Sequence, residues 1–177
     1  MTIDFQVDPK ETKMYEWLGD EAYFLEDHAY SFNSHSHSVS PTYFESDENL
    51  KELYTLTAVS YLDDGTPFGA SFEGKDYPIF ATQFHPEKTS HIYYEGKGIN
   101  HEWMSVQLNR HFADYFVYLA RHNTNSFGDF AETSKYLVQN YDQIVTEGYD
   151  STVYVFKNPP KPTQVDLVQE WALSSFH

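Results

Sequence analysis

Three consecutive runs of β-branched, aromatic and small residues, separated by very short turns, restrict this fold more than any other feature of the chain. Residues 55–62 and 67–73 flank Asp63-Asp64-Gly65-Thr66, whose Asp-Gly step is a strong hairpin signal. Gly74-Lys75-Asp76 then turns the chain into a third run, 77–84. Turns this short join only antiparallel neighbours, because a parallel crossover needs a dozen residues or more. The spacing therefore predicts an antiparallel meander. Its last strand delivers His85-Pro86-Glu87-Lys88 into the following loop.

Around the meander the signals are more local. Residues 3–7 alternate apolar and polar and read as a short strand. Asp8-Pro9-Lys10-Glu11 reads as a helix start, with Asp8 as N-cap and Pro9 at the first helical position, and Gly19 as the stop. Residues 23–45 are rich in aromatics and histidine and are expected to form short strands and loops, followed by a helical turn or two over 46–54. Over 101–122 the period becomes helical, and Leu108, Phe112, Tyr115, Phe116 and Leu119 fall on one apolar face. A further helix is predicted over 130–140 and a strand over 152–156. Asn158-Pro159-Pro160-Lys161-Pro162 closes the expected ordered region, giving a domain over 1–160 and an amphipathic tail over 161–177. Strands apolar on both faces require cover from other elements. Nothing in the chain reads as a strand, glycine-rich turn and helix of the kind that exposes a nucleophile.

Composition limits the function. Fifteen tyrosines, fourteen phenylalanines and a 40% hydrophobic content argue against disorder. The formal charge of −16 disfavours nucleic acid and anionic membranes, both of which call for a basic patch. Protonating all nine histidines would bring −16 to −7, but a solvated acidic surface is the simpler reading. No apolar run approaches membrane-spanning length, and the first residues are not read as a signal peptide. There is no Asn-x-Ser/Thr sequon. The 177 residues contain no cysteine, which removes disulfides, thiolate metal sites and a cysteine nucleophile from this chain.

The chemistry therefore centres on His85 and Glu87. If the extended backbone continues past Phe84, positions 85 and 87 point the same way, and Pro86 favours that geometry. A carboxylate that holds Nδ1–H leaves Nε2 free as a general base. That is two-thirds of a nucleophilic triad, although a His-Pro-Glu tripeptide alone is weak and a purely structural role competes with it. Ser34-His35-Ser36-His37-Ser38 invites a metal reading, but no carboxylate has ligand spacing, so a solvated or substrate-facing loop is preferred and no metal is assigned. His28, His91, His101, His111 and His122 are scattered, and the last two read as surface or packing residues of the long helix. Lys75, Lys88, Lys97, Arg110 and Arg121 are scarce positive charges that would anchor an anionic substrate if brought near His85, and otherwise are ordinary surface groups.

With those residues laid out, the chain resembles the γ-glutamyl hydrolases, relatives of the class I glutamine amidotransferases. The resemblance rests on residues 56–65 (LTAVSYLDDG), 72–80 (FEGKDYPIF), 83–88 (QFHPEK), 98–101 (GINH) and 112–123 (FADYFVYLARHN). It extends more weakly through 34–41 (SHSHSVSP) and 13–17 (KMYEW). It implies an α/β fold, the C-terminal part of a flavodoxin-like, three-layer amidotransferase-type domain. By the same resemblance, His85 is the general base, Glu87 its orienting acid, and His35 and His101 line the substrate cleft. The family's substrate would be a folyl-poly-γ-glutamate or another γ-glutamyl compound, cleaved without a cofactor in lysosomes, vacuoles or outside the cell. The family's cysteine, its elbow and its oxyanion hole belong to an N-terminal half that these residues do not include. A complementary chain carrying that half is the implied partner, and a homodimer stays open. A non-catalytic half-fold serving as a structural or interaction subunit is the alternative.

Overall fold

The structure is a computed structural model that describes residues 1–93, 96–145 and 152–156. The chain divides after Thr124 into two units. In the first, β1 (Asp4–Phe5), β2 (Tyr54–Tyr61), β3 (Pro67–Gly74) and β4 (Phe80–Thr82) form a sheet in that order, every pair antiparallel. The predicted meander is present. Gly65 supplies the positive φ of 82° that the β2–β3 turn requires, and Asp64 accepts the Thr66 N–H. The third strand is shorter than the run 77–84 suggested. Gly74 N–H reaches the Ile79 carbonyl and Ile79 N–H the Tyr77 carbonyl, so residues 75–79 are spent on the turn.

Both faces of the sheet are covered, as its apolar pattern requires. Ser71 and Glu73 face the segment that precedes residue 16, and Phe68 and Phe72 alternate to the opposite side. There Phe72 packs against Phe44 of α2 (Pro41–Ser46), which leads into α3 (Glu48–Leu53). Ser40 and Asp47 cap these two helices with their side-chain oxygens. Residues 23–45 thus contain α1 (Phe24–Asp27) and α2 rather than strands.

The expected helix after Asp8 breaks into tight turns, Pro9–Glu11 and Glu16–Tyr23, with Asp8 capping the first. Gly19 interrupts the second instead of ending it, with φ 55° and ψ −129°. This segment is tied to the sheet by buried polar groups. Glu73 accepts the N–H groups of Lys13 (3.2 Å) and Met14 (2.8 Å), and Tyr15 donates to Ser71 (2.9 Å), which also meets Thr57 (2.6 Å). Burial raises the Tyr15 phenol well above its ordinary pKa, so it stays a donor.

After the short α4 (Lys88–His91), the long helix α5 (Trp103–Ala120) completes the core. Leu108 is fully buried among Ile3, Met14, Tyr15, Leu25, Tyr30 and Phe84. Tyr115 is also buried, and Phe112 packs edge-on against Tyr15 and Phe84. Phe116, expected on the same face, is instead 70% exposed. His111 is a packing residue: it donates from Nε2 to the Met14 carbonyl (2.8 Å), and burial lowers its pKa from 6.5.

The second unit contains α6 (Phe130–Ser134), a turn at Val138–Asn140, and a hairpin of β5 (Asp142–Val145) with β6 (Thr152–Val155). The single helix expected over 130–140 is two shorter pieces, and β5 was not anticipated. The proline-rich closure at 158–162 and the tail over 161–177 lie outside the described residues. Taken together, the described residues mix helix with antiparallel sheet, compatible with an α/β class.

Candidate active site

His85 follows β4 after two bends that continue its pairing. Gln83 N–H bonds the Ala70 carbonyl, and His85 N–H bonds the Phe32 carbonyl, both at 2.8 Å. The imidazole and the Glu87 carboxylate meet, with Nδ1 at 2.9 Å from Oε1. They do so by a different geometry from the extended one. Glu87 has φ −67° and ψ −26°, because the chain turns at Pro86 into α4 and Glu87 sits at that helix's start. The turn is held by Thr89, whose hydroxyl bonds the Pro86 carbonyl at 3.2 Å.

This pair lies at the surface, with the His85 side chain 36% and the Glu87 side chain 60% exposed. Nε2 of His85 has no hydrogen-bond partner among the described residues. With Nδ1–H given to Glu87, Nε2 carries the lone pair and can act as an acceptor. Phe32 lies beside the ring at 6.4 Å and under the Lys88 ammonium at 5.8 Å, so one cation is held next to the pair. Arg110 lines a cavity of about 300 Å³ together with Glu87, His91 and Asn109, while its guanidinium bonds Asp114 at 3.1 Å. Lys75 is occupied elsewhere, bonded to the Lys51 carbonyl.

The other expected site residues, His35 and His101, serve their own surroundings. His35 Nε2 lies 3.2 Å from Asn33 Oδ1, and its ring meets Phe68 edge-on at 5.1 Å. It occupies an irregular segment, so residues 35 and 37 do not share a strand face. Phe32 of that segment is what touches His85. His101 donates from Nδ1 to the Thr89 carbonyl (2.8 Å) and stacks on Tyr93 at 4.2 Å, which pins the helix that follows Glu87. Among the described residues, no three His, Asp or Glu side chains come together to hold a metal.

Two contributors went unrecognised in the sequence. Phe32 gave no local signal, since aromatics crowd the whole stretch. Asn109 donates to the Tyr30 and Ser105 carbonyls (3.0 and 2.8 Å) from a 2% exposed position, while its Oδ1 has no partner among the described residues. A lone polar residue on a helix is visible in sequence, but its burial is not.

No family model matches the chain. Curated proteins do. It is 27% identical to γ-glutamyl hydrolase B of Dictyostelium discoideum over 139 residues, 77% of this chain and 40% of that protein. It is 29% identical to the rat γ-glutamyl hydrolase over 85% of this chain and 48% of the relative. The human γ-glutamyl hydrolase matches at 30% over 70% of the chain and 39% of its own length. The chain thus spans less than half the length of these relatives. Relatives that all carry the name γ-glutamyl hydrolase mark a hydrolase-like protein. More narrowly, the chain is a partial γ-glutamyl hydrolase-like protein.

Among the described residues, no helix is long and apolar enough to cross a membrane.

Proposed function

We propose that residues 1–160 are the C-terminal portion of a γ-glutamyl hydrolase domain of the class I glutamine amidotransferase-like fold, and that they supply the acid–base half of its active site. The observation that carries this reading is the 2.9 Å bond between His85 Nδ1 and Glu87 Oε1, on a partly exposed imidazole whose Nε2 has no partner among the described residues. In the complete domain a cysteine from the N-terminal half gives its proton to His85 Nε2 and attacks the γ-carbonyl carbon of a folyl-poly-γ-glutamate. His85 then protonates the leaving amine nitrogen, the C–N bond breaks, and a water deprotonated by the same Nε2 releases the acyl group. Glu87 holds the tautomer and offsets the imidazolium charge. His35 and His101 border the cleft, and the setting is a lysosome, a vacuole or the extracellular space.

A second reading follows from one fact: the 177 residues contain no cysteine. Without its nucleophile the pair cannot acylate, and the chain would serve as a non-catalytic interaction subunit.

The purified chain assayed on γ-glutamyl-glutamate is expected to show no turnover above buffer, since losing one triad member forfeits most of the acceleration. Mixed with an N-terminal half that bears the cysteine, it is expected to gain hydrolysis that iodoacetamide blocks and His85→Ala abolishes. Turnover by the chain alone, indifferent to the alkylator, would overturn the thiol mechanism. Failure of every N-terminal half to restore turnover, despite complex formation, would favour the interaction subunit.

A further inference from the structure

The sheet ends at β4, and that end is open. Ile79 and Gln83 bond inward to Gly74 and Ala70, so the alternation of the ladder turns the N–H and C=O groups of Phe80 and Thr82 outward. Among the described residues, no strand pairs with this edge. Unpaired edges are templates for strand addition, and proteins that keep one exposed ordinarily blunt it with charge or proline. Here Phe80, Ala81 and Thr82 carry no charge.

The edge adjoins an apolar groove. Phe80, Thr82, Phe112, Tyr115 and Phe116 line a cavity of about 370 Å³, and Phe116 stands 70% exposed at its rim. Helix α5 repeats the pattern. Asn109, Ala113, Phe116 and Ala120 form a stripe beside the core-facing one, with no charged residue in it, and the Arg110–Asp114 ion pair flanks it, Arg110 reaching the 300 Å³ cavity that Glu87 lines. A solvated helix face is ordinarily charged, so this one is built for cover. Asn109, whose buried Oδ1 has no partner among the described residues, lines the 300 Å³ cavity along the same stripe.

We propose that the β4 edge and the groove beside α5 form the docking surface for the rest of a γ-glutamyl hydrolase domain, which adds a strand to β4 and buries Phe116. This deepens the function proposed above and rests on it. Three observations choose this occupant. The relatives carry as much length again beyond the part matched, and more, since the chain covers 40–48% of the first two. A second copy of this chain is disfavoured, because pairing two bodies of charge −16 opposes like charge to like. The surface is also continuous with the candidate site, because Glu87 and Phe116 line the same 300 Å³ cavity. An arriving strand would bring its own residues alongside the His85 loop.

The experiment co-expresses the whole chain with the part of the rat γ-glutamyl hydrolase that it does not match, and follows amide exchange by NMR. A one-to-one complex is expected, with exchange at Phe80 and Thr82 slowed about tenfold or more on binding. Phe116→Asp, at an exposed position that leaves the melt of the free chain unchanged, is expected to weaken the complex about tenfold or more, the scale of a charge placed in an interface centre. A complex that leaves both amides fast and tolerates Phe116→Asp overturns the surface while the functional reading stands. Absence of any complex, or protection of the same amides in a homodimer of the chain alone, overturns the proposal as well. A complex with protected amides but no alkylator-sensitive hydrolysis upholds the surface and sinks the enzymatic reading.

Discussion

Replacing Glu73 with alanine is the sharpest test of how the N-terminal segment is held on the sheet. Its carboxylate sits on β3 at 8% exposure and accepts two backbone N–H groups, Lys13 at 3.2 Å and Met14 at 2.8 Å. Hydrogen bonds to a charged group contribute about 1.5–3 kcal/mol each, and the longer of these two belongs at the bottom of that range. Truncation leaves both donors without an acceptor in a site that Tyr15 and Ser71 already fill with a bond of their own. Some water entry at the Lys13 side offsets part of the loss, so the expected cost is about 3 kcal/mol. For a unit of this size that lowers Tm by roughly 10 °C. Glu73→Gln separates charge from geometry: its amide oxygen satisfies one donor while its NH2 opposes the other, and about half the loss is expected. The assay is a thermal melt read by near-UV circular dichroism, with urea unfolding as a check. A Glu73→Ala protein melting within about 2 °C of the parent would refute the claim that these two bonds hold the segment.

His111 gives a pH signature. Burial lowers its pKa from 6.5, so the unfolded chain takes up the proton first. The stability due to the neutral ring is complete above about pH 6.5 and falls as pH drops below that toward the folded value. His111→Phe is expected to flatten that window in urea melts while costing about 1–3 kcal/mol at neutral pH, because the Met14 carbonyl loses its partner. Gly19→Ala is expected to cost about 1–3 kcal/mol with no clash at all, since nothing lies within 4 Å of an added Cβ and only the backbone at φ 55°, ψ −129° objects. Gly19→Asn should be no milder, because that ψ lies outside the left-handed region that asparagine tolerates; a parental melt for either variant would count against the strained turn.

The meander was legible because its signal is local: period-two apolar runs and an Asp-Gly turn set β2 and β3 within a residue at each end. The His85–Glu87 pair was legible because both groups are adjacent in sequence, although the geometry that joins them is a turn into α4 rather than a continued strand. In the segment from Tyr23 to Glu45 the expected loop is present over 28–40 but the expected strands are not, because aromatic and histidine-rich sequence satisfies strand and loop equally, and the helix at its end is decided by Ser40 capping and by Phe44 packing on Phe72. Likewise, α5 was found by its period, but periodicity cannot tell which apolar positions meet a neighbour. Leu108 and Phe116 look equivalent in sequence and differ entirely in burial. Strand β5, Asp-Gln-Ile-Val, has no alternation to announce it and depends on β6 for its pairing.

The bonds that lash the N-terminal segment to the core also fix an order of events during synthesis. Met14 meets His111 across 97 residues, Tyr30 meets Asn109 across 79, and Met14 meets Glu73 across 59. None of these partners exists when residues 13–30 leave the ribosome. At about 5–20 residues per second, Met14 waits roughly 5–20 s for His111 to be made. Through that interval Tyr15, Leu25 and Tyr30, all destined for the core, stay open to chaperones. Assembly of the first unit is therefore paced by the emergence of α5, and its many long-range contacts place it among the slower folders.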